Sequence, residues 1–202
     1  MSKEVFLQRH DVSRETLSKL EIYEKLLLQW QSRINLVATS TLDDVWGRHF
    51  GDSAQIYPLL KDADTLADIG SGAGFPGMVL AIMGIKSTSL IEVDQKKAAF
   101  LQQIAVETAT PVTIISQRVE NYQPKEKFSV VTSRACAPLH KLCAYVFQLL
   151  RDDGQAILLK GKGLEGEMQE AEQQWQMKKS VRPSQSHPEG QIIIISHLLP
   201  RK

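Results

Sequence analysis

The sequence predicts an α/β fold built on a doubly wound, seven-stranded and mostly parallel sheet. Three observations carry that expectation. From residue 64 onward, short apolar and β-branched runs alternate with helical patterns, as strands joined by crossover helices do. A glycine-rich segment directly follows the first run, and the last two runs are joined by a link too short for a helix. A length of 202 residues suffices for one well-buried domain with a small appendage.

Residues 13–32 read as an amphipathic helix. Ser13 is a natural N-cap, and Leu17, Leu20, Tyr23, Leu27 and Trp30 recur every three or four positions. "RINLVATSTLDD" breaks the pattern, and "STLDD" offers a fresh cap for a second helical stretch from Leu42 to Leu60. With no strand signal before residue 64, residues 1–62 are expected to form a small helical layer on a domain spanning 63–202. The strand candidates are "TLADI" (65–69), "TSLIEV" (88–93), "VTII" (112–115), "FSVVTS" (128–133), "QAILLK" (155–160), "KKSVR" (178–182) and "QIIIIS" (191–196). Helices are expected over 75–83, 95–108, 139–150 and 163–175, while 116–127 shows no clear pattern. "PSQSHPEG" (183–190) is turn-rich, so the last two runs are expected to form a C-terminal antiparallel hairpin that closes the sheet.

Composition removes several classes of function. Hydrophobic residues make up 43% and charged residues 23%, as in ordinary globular proteins. The formal net charge is +1, and residues 1–62 hold 8 Lys and Arg against 9 Asp and Glu. A general basic field for nucleic acid is thereby excluded, and any RNA contact must come from a local patch. The opening "MSKEVFLQRH" lacks the apolar core of a signal peptide, and "MVLAIMGI" and "IIII" are far too short to span a bilayer, so no membrane role is expected. Cys136 and Cys143 form no C-x-x-C and have no matching His pair. Reduced thiols, a cytoplasmic protein and no metal site are the expectation.

The chemistry concentrates in "LADIGSGAGFPG" (66–77), which reads in two registers. Residues 72–77 spell the G-x-G-x-x-G of a dinucleotide site, and residues 68–74 spell the acid and G-x-G-x-G of an S-adenosylmethionine (SAM) loop. In either register Gly70, Gly72 and Gly74 let backbone approach a ligand closely. Glu92, 22 residues after Gly70 at the end of the next strand, is placed to accept both hydrogen bonds of a ribose diol, with Asp94 as a rival. That serves NAD and SAM alike. Three features favour SAM. Asp68 offers a carboxylate to the ammonium of a methionine moiety, or else orders the loop. The chain has no residues left for the separate substrate domain of a dehydrogenase. The terminal hairpin suits a seven-stranded methyltransferase sheet better than a dinucleotide fold. In "ISQRVENY" (115–122), Val119 and Glu120 offer a backbone N–H and a carboxylate to an adenine edge, or form a solvated loop.

These segments, together with "NL" at Asn35 and Leu36, "RHFGDS" (48–53), "SRACAPL" (133–139) and "LLKG" (158–161), make the chain resemble the glucose-inhibited division protein B (RsmG) family over nearly its whole length. It departs from the family in "NLVA", where Thr usually follows Asn-Leu, and at Glu92, where Asp is commoner and a longer acid must sit further back. The resemblance implies a Rossmann-like class I SAM-dependent methyltransferase fold. It also implies transfer of a methyl group from SAM to N7 of a guanine, position 527, in the 16S rRNA of the small ribosomal subunit. Carried over residue by residue, Gly70, Phe75, Val119, Glu120 and Arg134 contact SAM. Arg134, at the end of the fourth strand, can pair with the methionine carboxylate, hold an RNA phosphate, or form a structural ion pair, and it is the one candidate for a catalytic role. No general base is expected. Arg48 and His49 are candidates for facing RNA, with Lys160 and Lys162 as phosphate contacts at the same edge, while Asp52 and Ser53 more naturally tie the helical layer to the sheet. The implied partner is 16S rRNA, the 30S subunit or an assembly intermediate, met by a monomer. Two other readings are methylation of a small molecule, which calls for an apolar lid that the polar residues 1–62 do not offer, and a non-catalytic nucleotide-binding module.

Overall fold

Seven strands, β1 (Thr65–Ile69), β2 (Ser87–Ile91), β3 (Thr113–Ile115), β4 (Phe128–Arg134), β5 (Leu150–Lys160), β6 (Trp175–Pro183) and β7 (Gln191–Pro200), form one sheet in the order β3-β2-β1-β4-β5-β7-β6. They come from a computed structural model that describes residues 1–60 and 63–201. β1 pairs in parallel with β2 and β4, β2 with β3, and β4 with β5. β7 runs antiparallel to both β5 and β6, so the expected hairpin closes the sheet with one reversed strand. β4 is buried along Phe128 to Ser133, as a central strand covered on both faces must be.

The helices are α1 (Lys3–Arg9), α2 (Arg14–Gln31), α3 (Asp52–Ala54), α4 (Gly77–Ile82), α5 (Gln95–Glu107), α6 (Leu139–Leu149) and α7 (Leu164–Gln174). α2 starts where the sequence places it: the Ser13 hydroxyl accepts from the Thr16 N–H at 3.0 Å. α1 is an addition to the sequence reading, a short helix that Ser2 caps and that buries Phe6 against Trp46, ring centroids 5.3 Å apart. The helix expected over Leu42–Leu60 is instead a chain of short turns. A 3₁₀ turn (Thr39–Asp44), a π-helical turn (Trp46–Gly51), α3 and a second 3₁₀ turn (Tyr57–Leu60) follow one another. Gly47 and Gly51 weaken a regular helix there and Pro58 removes a donor, so the chain follows its tertiary contacts. The stretch 116–127 carries a 3₁₀ turn at Val119–Asn121. The expected boundary between helical layer and sheet domain, at 62 and 63, falls on residues outside those described.

The N-terminal layer covers α4 and α5 on one face of the sheet, sharing a core of Leu20, Leu27, Phe50, Phe100 and Leu101. The Trp30 indole N–H donates to Gln103 Oε1 at 2.8 Å, fixing α2 on α5. α6 and α7 cover the other face through Leu142, Val146, Leu164 and Ala171. Tyr23 connects the layer to the glycine segment: its ring lies parallel to Phe75 at 5.4 Å, and its hydroxyl donates to the Ala73 carbonyl.

That contact explains Gly74. Its φ is +95°, and a Cβ there would lie 2.4 Å from the Tyr23 hydroxyl and 2.9 Å from Met78 Cβ. Gly74→Ala is therefore expected to cost about 2–4 kcal/mol, from left-handed backbone strain plus overpacking. Tyr23→Phe removes the hydroxyl in the way and about 1 kcal/mol of hydrogen bond. In urea denaturation the double variant should lose clearly less than the sum of the two singles, the signature of one shared contact.

Candidate active site

The strand order reverses between β1 and β4, and two adjoining cavities open at the C-terminal ends of these strands, the place where such sheets bind ligands. The larger, about 780 Å³, lies between the N-terminal layer, Phe75, Lys160 and the loop before β7. The smaller, about 430 Å³, lies between Glu92, Val119, Glu120 and Tyr145. Gly70, Gly72 and Arg134 border both. Each volume falls in the range of small-molecule sites.

The loop between β1 and α4 is held from outside. Asp68 is 0% exposed; Oδ1 accepts from the Thr132 hydroxyl at 2.8 Å and Oδ2 from the Gly77 N–H at 3.2 Å. Burial pushes its carboxyl up to about 6, against the lowering effect of these hydrogen bonds. Of its two expected roles, the loop-ordering one is seen in these hydrogen bonds, and Asp68 borders neither cavity. Gly74 likewise borders neither cavity, and its lack of a side chain makes room for Tyr23. Gly72 is different. Its φ is +56°, a Cβ there would meet only the Gly70 carbonyl at 3.8 Å, and both cavities open beside it. This is a cradle that one methyl group would begin to fill.

Glu92 closes one side of the smaller cavity. Its Oε2 accepts from the Gly72 N–H at 2.7 Å and its Oε1 from the Asp94 N–H at 2.8 Å. Two of about four acceptor sites are used, so the carboxylate retains capacity for a diol. Asp94, the rival, caps α5 by accepting from the Lys96 and Lys97 N–H groups. Val119 is buried and Glu120 exposed, both on the smaller cavity, where the Tyr145 hydroxyl donates to Glu120 at 2.7 Å and holds that carboxyl below its usual range. Tyr145 went unnoticed in the sequence, sitting on an ordinary apolar helix.

Arg134 gathers the residues of "RHFGDS". It donates to the Arg48 carbonyl at 3.1 Å, to Asp52 Oδ2 at 3.3 Å and to His49 Nδ1 at 3.1 Å, and lies 4.8 Å over the Phe75 ring. The structural ion pair is thus present, and about two of its five N–H groups remain available. Phe75 is 3% exposed, packed among Tyr23, Phe50, His49 and Arg134, so most of its ring is spent on the protein. Its peptide bond to Pro76 is cis. Asp52 reaches further still, accepting from Ser184 at 3.2 Å and from Ser186, both in the loop before β7. That loop, read in sequence only as a turn, forms a cavity wall through Ser184, Ser186, His187 and Gly190.

Two of the RNA candidates are held by protein neighbours. His49 is 6% exposed, with Nδ1 accepting from Arg134 and Nε2 2.8 Å from the Thr41 hydroxyl. Since Arg only donates, Nδ1 accepts and Nε2–H donates to the Thr41 hydroxyl oxygen, which in turn donates to the Ala38 carbonyl at 2.7 Å. Burial, and then the charges of Arg134 and Arg48, push His49 down to about 3. Its ring is a neutral part of the larger cavity's wall, engaged at both nitrogens. Lys160, with a side chain 7% exposed, pairs with Glu167 at 2.6 Å and donates to the Ala137 carbonyl at 3.0 Å, so it joins α7 to β5 and does not stand ready for phosphate. Lys162 is 84% exposed and only loosely paired with Glu189 at 3.5 Å. Arg48 lines the larger cavity. Among the described residues no cluster of three or more His, Cys, Asp or Glu is arranged to hold a metal.

The model of the family described as GidB, rRNA small subunit methyltransferase G, matches residues 16–192. The ribosomal RNA small subunit methyltransferase G of Paramagnetospirillum magneticum is 45% identical over 194 residues, 96% of this chain and 94% of that protein. The protein of the same name from Rhodospirillum centenum is 45% identical over 191 residues, 94% of this chain and 88% of its own length. Among solved structures, M. jannaschii TYW2 in complex with AdoMet superposes with a TM-score of 0.60 at 12% identity, over 84% of this chain and 80% of that one, and so shares the fold.

The two buried titratable groups have opposite effects on stability. His49, depressed from 6.5 to about 3, contributes stability that is present above pH 6.5 and is lost as pH falls toward 3. Asp68, raised from 3.8 to about 6, contributes stability that is present below 3.8 and is lost as pH rises through 6. Between pH 6 and 4 they oppose each other. Urea denaturation should therefore show only a shallow decline in this window for the native sequence. Asp68→Asn should unmask a fall approaching ~1.4 kcal/mol per pH unit.

Proposed function

We propose that this chain, which belongs to the GidB family of rRNA small subunit methyltransferases G, methylates N7 of a guanine, position 527, in 16S rRNA with SAM as methyl donor. The observation that carries the reading is the open backbone at Gly72, set between a cavity bordered by carboxylates suited to a nucleoside and a larger one with room for a base. The residues present fit SAM. Gly70 and Gly72 would receive it along their backbone, Glu92 its ribose diol, and Val119 and Glu120 its adenine end. The free N–H groups of Arg134, between the cavities, would meet the methionine carboxylate. SAM supplies an electrophilic methyl group on a positively charged sulfonium.

The remaining work belongs to the chain. N7 of guanine has an in-plane lone pair and no proton to lose, so no side chain need act as a base. The walls agree with that requirement: His49 is neutral with both nitrogens engaged, and Asp68 is sealed beneath the loop. What the residues must do is align the acceptor and keep water out. A near-neutral chain favours an acceptor presented by a folded particle, the 30S subunit or an assembly intermediate, met by a monomer in the cytoplasm. No helix among the described residues is long and apolar enough to cross a membrane.

Gly72→Val should weaken SAM binding about a hundredfold or more in calorimetry, because a branched side chain fills the cradle and resists φ > 0. Glu92→Gln keeps the shape while removing the charge, and should weaken SAM about tenfold. Wild-type affinity in both folded variants would take the loop out of the site. Single-turnover methylation of 16S rRNA at saturating SAM and RNA should be nearly flat from pH 6.5 to 8.5. A unit slope there that moves in His49→Gln would reveal a catalytic base and hence a protonated acceptor.

A further inference from the structure

β6 is the outer strand of the sheet and is exposed along most of its length. Side chains of a strand alternate between faces, and directly paired residues of neighbouring strands share a face. Arg182 pairs with Ile192, Ser180 with Ile194 and Lys178 with Ser196. Ile192 lines the larger cavity and packs with Ile56, Leu60 and Leu159, on the side of the N-terminal layer. Arg182, Ser180 and Lys178 therefore stand in one row on that face, beginning beside the cavity wall and running about 13 Å away from it. Among the described residues neither Arg182 nor Lys178 is ion-paired. Two acids of neighbouring segments have other partners, Glu189 of the β6–β7 loop facing Lys162 and Asp52 of α3 bound to Arg134 and the serines. Lys179 belongs to the opposite face: it pairs with Ile195, which packs with α6 and α7, and it is salt-bridged to Glu172.

We propose that this face of β6, from Arg182 through Ser180 to Lys178, is the track on which the rRNA backbone approaches the larger cavity. Two unpaired cations with a hydroxyl between them, in line with a cavity mouth, match the chemistry of successive phosphodiesters. The chain has no general basic field, so a local row of this kind is where its electrostatic attraction to RNA can reside. Cations on an edge strand also discourage edge-to-edge pairing. Lys179 separates the two roles, since it shares the edge but not the face.

The inference rests on the rRNA reading, and its test keeps the two apart. Initial rates of methylation are measured across a salt series for the native chain, Lys178→Gln/Arg182→Gln and Lys179→Gln, on 16S rRNA in whichever form the native chain methylates, deproteinised or as 30S subunits. SAM affinity is measured by calorimetry alongside. The double variant should raise KM for RNA about tenfold with kcat within about twofold, and flatten the slope of log(kcat/KM) on log salt by about 1.4, for two contacts to single-stranded RNA. Its SAM affinity should be that of the native chain, and Lys179→Gln should match the native chain throughout. An unchanged salt slope in the double variant, or an equal change in Lys179→Gln, would overturn the track. Absence of rRNA methylation by the native chain with intact SAM binding would overturn the rRNA reading, and the track with it.

Discussion

The glycine loop has almost no side chains of its own to hold it, so its shape depends on groups lent by its neighbours. Asp68 fastens the far end at Gly77 from beneath, and Glu92 fastens the middle at Gly72 from the side. Tyr23 fastens Ala73 from above. Within the loop, the Ser71 hydroxyl returns to the Asp68 carbonyl at 3.0 Å. These ties leave the loop backbone bare toward both cavities while fixing its path, as a close backbone approach to a ligand requires. The price is a carboxylate with no exposed surface, whose raised pKa records how far desolvation outweighs the hydrogen bonds it accepts.

The N-terminal layer belongs to the same device. Without it Gly74 would face no hydroxyl and Arg134 would lose all three of its hydrogen-bond acceptors. Asp52 then carries the connection onward to Ser184 and Ser186, so three segments far apart in sequence meet in one polar network at the cavity. Such a network holds its members more firmly than pairwise bonds alone, because each donor polarises the next. Arg134 is oriented before any ligand arrives, which lowers the ordering cost of binding.

The regular parts of this arrangement were legible in the sequence because they repeat. Alternating runs located every strand, though β5 begins at Leu150 and β6 at Trp175, ahead of the runs expected from 155 and 178, because Asp152 and Asp153 interrupt the one and the other carries almost no buried face. The segment 42–60 misled because its apolar spacing is helical while its glycines and Pro58 oppose one helix, and pattern counting gives no weight to that conflict. The site was legible in outline and less so in roles. Gly72 and Gly74 look alike in a motif, and only the position of Tyr23 tells the ligand cradle from the packing gap. Lys160 looked like a free cation because Glu167, its partner, lies on the next helix with no sequence signature linking them. Tyr23 carried a faint signal: a phenol in an otherwise apolar buried stripe needs a partner for its hydroxyl.

Charge is distributed in a way that suits the proposed acceptor. Of the three Lys and Arg residues bordering the larger cavity, Arg134 and Lys160 are turned to internal work, on Asp52 and Glu167, and Arg48 is the one without an ion pair among the described residues. A cavity whose positive groups are mostly compensated is a weaker trap for phosphate than for an uncharged base, since desolvating a neutral heterocycle costs far less than desolvating an ion. The phosphates that accompany the base must then be met outside, at high dielectric, where cations need no buried partner. The unpaired basic residues of β6 lie in such a place. A division of this kind lets affinity for the polymer vary with salt while the environment of the reacting base stays constant. It also explains how a chain with a net charge of only +1 can act on a polyanion, because the charge that matters is local and the rest is compensated.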